Sequence, residues 1–166
     1  ASGLPFVSSS KLSGVNLIDA GEYLAKTGEM LSGDMEAFSS VSLKNVFEPN
    51  GKSELLAAVN NLENDLKRSL SYVILARKNV EKTDDAVLPD GISKKDLIEK
   101  IEQAKSSIID GREYVDLISD LIGAKRSKEY LILFQNPSEI RATGGFVGSY
   151  GMVKLDDGKI KKILVD

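Results

Sequence analysis

The sequence predicts an α+β fold: an N-terminal antiparallel helical hairpin or three-helix bundle, followed by the first strands of an incomplete sheet. Two observations carry this prediction. Two long segments repeat apolar residues at alternating spacings of four and three, the helical period. From Tyr130 the pattern changes to a continuous run of strand formers, with an Asp157-Gly158 turn signal further on. Residues 1–124 are therefore expected to be helical, with helices over about 12–47, 53–81 and 93–122, and residues 125–166 to open a β-containing domain truncated at 166.

In the first helix, Leu17, Gly21, Leu24, Gly28, Leu31, Met35 and Phe38 step along one face. Gly14, Gly21 and Gly28 recur every seven residues. Each costs a helix interior roughly 1 kcal/mol relative to Ala, so close approach of a neighbouring helix is the expected compensation. The alternative is that the glycines split the segment into two helices near Gly33.

Pro49-Asn50-Gly51 marks a turn, and Ser53 is placed to N-cap the second helix. Its seam is Leu55, Val59, Leu62, Leu66, Ser69, Val73, Ala76 and Val80. Ser93, with Asp96 three residues on, opens the third helix, whose seam is Leu97, Ile101, Ala104, Ile108, Gly111, Val115, Ile118 and Ile122. Folding the two seams back on each other pairs residues whose numbers sum to about 177, which sets Leu66 against Gly111 and Ser69 against Ile108 in knobs-into-holes packing. A second apolar row (Leu56, Leu70, Ile74, Ile98, Ile109, Leu117, Leu121) is expected to lie under the first helix. The same seams could instead pair between chains. Gly123 reads as a helix stop before the basic connector AKRSKE. Beyond it YLILFQ is a strand, Pro137 interrupts pairing, and FVGSYGMVKL and KIKKILV flank the Asp157-Gly158 hairpin turn.

Composition removes most catalytic templates. The chain has no His and no Cys, hence no imidazole base, no thiolate nucleophile and no thiolate zinc site. With 22 basic and 25 acidic residues there is no global positive field for nucleic acid. No metal site and no cofactor are expected. Asp84, Asp85 and Asp90 do not follow a calcium-loop spacing, and Gly148-Ser149-Tyr150-Gly151 is not a G-x-S-x-G elbow. Lys154, Lys159, Lys161 and Lys162 read as protection of a sheet edge or as a basic surface for anionic polymer.

Polar residues and glycines crowd into LILFQNPSEIRATGGFVGSYG, residues 131–151. Gln135-Asn136, Glu139, Arg141, Thr143-Gly144-Gly145-Phe146, Gly148-Ser149-Tyr150-Gly151 and Asp157-Gly158 stand in the order and spacing of a bacterial family known as domain of unknown function 4012, and the segment resembles its signature. Ala142 stands where that family more often has Pro, and Pro137 where a polar residue is frequent. The resemblance implies an extracytoplasmic, envelope-associated protein with a membrane anchor upstream and more of the domain downstream. It implies no established activity.

The ligand-binding candidates are Arg141, Thr143, Gly144, Gly145, Asn136 and Glu139; no residue is assigned a catalytic role. Arg141 offers a planar five-donor fork, and Gly144-Gly145 allow backbone N–H groups to converge on an anion. Alternatively, Arg141 pairs with Glu139 or another carboxylate of the chain and pins a tight loop, Gly144 and Gly145 supply positive φ or close packing, and Asn136 caps a turn. Glu139 lacks the partner acid that paired-carboxylate hydrolysis requires. The expected function is a non-enzymatic structural or binding module, with an envelope glycopolymer or another envelope protein as partner. The alternative is an enzyme on phosphorylated or anionic envelope glycopolymers, with Arg141 on the phosphate.

Overall fold

Three long helices precede a three-stranded antiparallel sheet in the computed structural model, which describes residues 9–42, 53–136, 138 and 145–166. The helices are α1 (Ser9–Ser40), α2 (Glu54–Lys82) and α3 (Lys94–Leu121); the strands β1 (Lys128–Asn136), β2 (Phe146–Asp156) and β3 (Lys159–Val165) lie in that order. The architecture is the α+β arrangement expected, with the helices N-terminal. Two compact units divide the chain, Ala1–Glu36 with Leu62–Tyr114 and Ala37–Asn61 with Val115–Asp166. Among the described residues no helix is long and apolar enough to cross a membrane.

In the first unit, α2 and α3 meet in the predicted register. A Cβ placed on Gly111 would lie 3.6 Å from Leu66 Cδ2, an ordinary contact, so the large residue sits over the small one. Leu66, Ser69, Val73, Ala76 and Val80 are buried on α2, and Ile101 and Ile108 on α3. Arg77 Nε reaches Glu102 Oε1 at 2.6 Å across the same pair. The α2–α3 connection is closed by a short 3-10 turn, Asp85–Val87, capped by Asp84, whose carboxylate accepts from Ala86 N at 3.1 Å. Ser93 caps α3 as expected, its Oγ accepting from Asp96 N at 3.1 Å.

Helix α1 runs unbroken through Gly33 and ends at Ser40, short of the expected Phe47; residues 43–47 lie outside those described. Its rotation also differs from expectation. The buried row is Ser13, Ala20, Thr27 and Asp34, one residue every seven, with Leu17, Leu24 and Leu31 half-buried beside it. Among the described residues, Gly14, Gly21 and Gly28 meet nothing within 4 Å where a Cβ would stand, so none of those residues approaches the glycine row. Two contacts set the rotation: Tyr23 stacks on Tyr72 with ring centroids 5.7 Å apart, and Ser13 Oγ accepts from Asp84 N at 3.1 Å. Both lie on the Ser13–Ala20–Thr27 side of the helix, which carries the glycines round to the rim. Of the second apolar row, Leu56, Leu70 and Ile98 are half-buried, while Ile74, Ile109, Leu117 and Leu121 are exposed.

In the second unit, the β2–β3 turn has the predicted form. Asp157 (φ 51°) and Gly158 (φ 68°) both adopt positive φ, the geometry of a type I′ hairpin turn. Register shifts interrupt the ladders between Phe134 and Gln135 and between Lys154 and Leu155. Alternation places Leu131, Leu133, Tyr150, Met152 and Leu164 on one face and Ile132, Phe134, Val153, Ile163 and Val165 on the other, an apolar two-sided pattern normally found in sheets covered on both faces. Here Leu131 is 62% exposed and Val165 70%. Lys159 is buried, so it does not belong to the exposed lysine edge; Lys161 and Lys162 are exposed.

Candidate functional site

Three local signals, each read separately in the sequence, meet at one junction. Helix α3 ends in a Schellman motif: Gly123 at φ 74°, Gly123 N donating to Asp120 O at 3.2 Å and Ala124 N to Ser119 O at 2.9 Å. The β2–β3 turn binds that helix end, Asp157 N donating to Gly123 O at 3.1 Å and Gly158 N to Ile122 O at 3.0 Å. Ser53 closes the other side. Its Oγ accepts from Leu56 N at 3.1 Å as the N-cap of α2 and donates to Gly158 O at 3.3 Å. The turn is thereby clasped between the start of one helix and the end of another.

The basic connector reinforces this clasp. Lys125 Nζ lies 2.9 Å from Asp116 Oδ1, and Lys128 hydrogen-bonds Asp120 Oδ2. Lys128, then Arg126 and Lys125, hold the Asp120 carboxyl below its ordinary range. Tyr130 Oη donates to Leu121 O at 2.6 Å, satisfying one of the carbonyls that α3 leaves open at its end.

The opposite end of the sheet carries the loop singled out in the sequence. Of the six candidate binding residues, Asn136 and Gly145 are described; Glu139, Arg141, Thr143 and Gly144 lie outside the described residues. Asn136 Oδ1 accepts from Ser138 N at 3.1 Å, an Asx turn, so its oxygen caps the turn. A Cβ on Gly145 would stand 2.7 Å from Asn136 O and 2.9 Å from Gln135 Cγ, so close approach of β1 requires the glycine. Asn136 pairs with Phe146 in the ladder, and Gln135 with Val147. Together these residues form the base of the loop. The Gln135–Gly145 contact had no separate sequence signal: the glycine suggested close approach without naming the neighbour.

Residues 125–164 match the model of a family described as protein of unknown function (DUF4012). The matched segment covers about a quarter of the chain and is similar to that family over those residues. No curated protein and no solved structure matches the chain. The DUF4012 match takes in the basic connector, β1, the loop, β2, the clasped turn and most of β3. It therefore includes both the turn that holds the sheet to the helix ends and the loop at the far end.

Proposed function

We propose that the chain is a non-enzymatic module of the bacterial cell envelope, extracytoplasmic in setting. Its helices hold a small sheet, and the loop around Arg141 engages an anionic envelope glycopolymer. The observation that carries the reading is the placement of the two sheet ends. The β2–β3 turn is clasped by Ser53, Ile122 and Gly123, whereas the β1–β2 loop leaves the sheet at the other end of β2, a strand of 11 residues or roughly 33 Å. A strand pair held at one end, with an Arg and adjacent glycines in the sequence that joins its strands at the other, suits presentation of a binding loop. Such binding requires no transferred group and no catalytic base.

Co-sedimentation with purified phosphate-bearing wall polymer tests this. Saturable retention is expected, weakened about tenfold by Arg141→Ala, in keeping with loss of a charge-assisted contact to phosphate. Retention no greater than on a neutral polymer would refute the binding role, and release of phosphate or of shortened polymer would refute the non-enzymatic one.

A further inference from the structure

An apolar cleft of about 370 Å³ opens in the first unit, walled by Leu17 and Leu24 of α1 and by Leu97 and Ile101 of α3, with Val80 of α2 also lining it. Well-packed interiors hold few voids larger than a water molecule, and 370 Å³ falls within the range of small-molecule pockets. Gly21 lies on the α1 wall. Its backbone does not need a glycine, since it is not among the positive-φ residues, and a Cβ there would meet nothing within 4 Å among the described residues. The chain thus keeps open a volume that a single larger residue would fill.

The lining limits what can enter. Lys100 is its only polar residue, exposed and without a carboxylate partner among the described residues. A ligand with several buried polar groups would leave them unsatisfied. An alkyl chain would not, and a terminal anion could meet the Lys100 ammonium, whose own methylene stem can lie along the apolar wall. We infer that this cleft binds a single-chain fatty acid, its alkyl tail between α1 and α3 and its carboxylate at Lys100. The cleft shares no residue with the segment around Arg141.

Dodecanoate, titrated into the whole chain below its micelle concentration and followed by calorimetry and methyl NMR, tests the assignment. Saturable binding is expected, with ligand-to-protein NOEs to the methyls of Leu17, Leu24 and Leu97. Gly21→Leu should abolish it, and Lys100→Glu should weaken it roughly threefold to tenfold while leaving dodecanol binding within about twofold. The wild-type NOEs decide the matter even if Gly21→Leu does not fold. Absence of saturable binding, NOEs to Leu131 or Leu133 of the sheet instead, or dimerisation of the ligand-free chain that buries the cleft would each overturn the proposal.

Discussion

Replacing Gly123 by Ala should be among the most damaging single-methyl changes in the chain, and the structure separates the reasons. At φ 74° an L-residue costs about 1–2 kcal/mol. The new Cβ would also stand 2.7 Å from Leu155 O, 3.0 Å from Leu155 C and 3.2 Å from Asp156 Cα. All three are backbone atoms, so no side chain can swing aside. Relief requires the hairpin to withdraw by a few tenths of an ångström or more, stretching the bonds from Asp157 N to Gly123 O and from Gly158 N to Ile122 O, each worth about 0.5–1.5 kcal/mol net. The expected loss is about 2–4 kcal/mol, a fall of roughly 5–15 °C in Tm for a chain of this size.

Two other glycines serve as references. Gly91 has φ 81° but open space around it, so Gly91→Ala should lose only the conformational part, about 1–2 kcal/mol. Gly21, in mid-helix and unobstructed, should gain about 0.5–1 kcal/mol as Ala. Urea unfolding followed by circular dichroism gives the three values. Hydrogen exchange at the Asp157 and Gly158 amides should accelerate in Gly123→Ala alone. A Gly123→Ala loss no greater than that of Gly91→Ala would refute the clasp as a tight backbone contact.

Further outcomes concern buried polar groups and pH. Asp34 is 6% exposed, its Oδ2 finds no hydrogen-bond partner among the described residues, and burial, then the nearby Asp65, push its carboxyl up. A raised folded value means that its contribution is present below the ordinary carboxylate value and lost as pH rises through the folded one. Asp34→Asn should therefore raise the urea midpoint at neutral pH and flatten that part of the midpoint profile; an unchanged or lower midpoint would contradict it. Asp120, held low by Lys128, has the opposite sign: its stabilisation is present above the ordinary value and lost as pH falls through the lowered one. Lys128→Met should accordingly lower the midpoint at neutral pH and reduce the difference between neutral and acid conditions. Ser69 is fully buried, its Oγ without a hydrogen-bond partner among the described residues, so Ser69→Ala should be neutral or stabilising by up to about 1 kcal/mol, whereas Ser69→Leu should overpack against the α3 seam and destabilise.

The α2–α3 pair was legible because its information is local and repeated. Each seam position constrains the next, both N-caps lie within three residues of the amides they bind, and the size alternation at Leu66 and Gly111 admits few registers. The Asp157-Gly158 turn was legible for the same reason, since two consecutive positive-φ residues leave a distinctive signature. The clasp was not. Ser53, Gly123 and Gly158 each had a sufficient local explanation, and no pattern within a window shows that one hydroxyl caps a helix and also donates to a carbonyl |i−j| = 105 residues away. At the loop, the Asx turn of Asn136 and the close approach of Gly145 to β1 follow from local residue chemistry.

Helix α1 shows how a correct period can still assign the wrong face. The row through Leu17, Leu24 and Leu31 recurs every seven residues, but so does the row through Ser13, Ala20, Thr27 and Asp34, and apolar size favoured the first. Burial went to the second because small residues allow close approach without glycine's conformational cost, and because two of their hydroxyls find backbone partners: Ser13 with Asp84 N, and Thr27 with Tyr23 O at 3.0 Å. Asp34 continues that row without such a partner, so the same close approach that accommodates Ser13 and Thr27 leaves its carboxylate uncompensated. The rotation that seats these four residues also turns Gly21 to the rim and opens the cleft beside Lys100. The misassigned face, the unpartnered carboxylate and the open apolar volume thus share one physical origin: α1 is oriented by small polar contacts and one tyrosine stack rather than by its leucines.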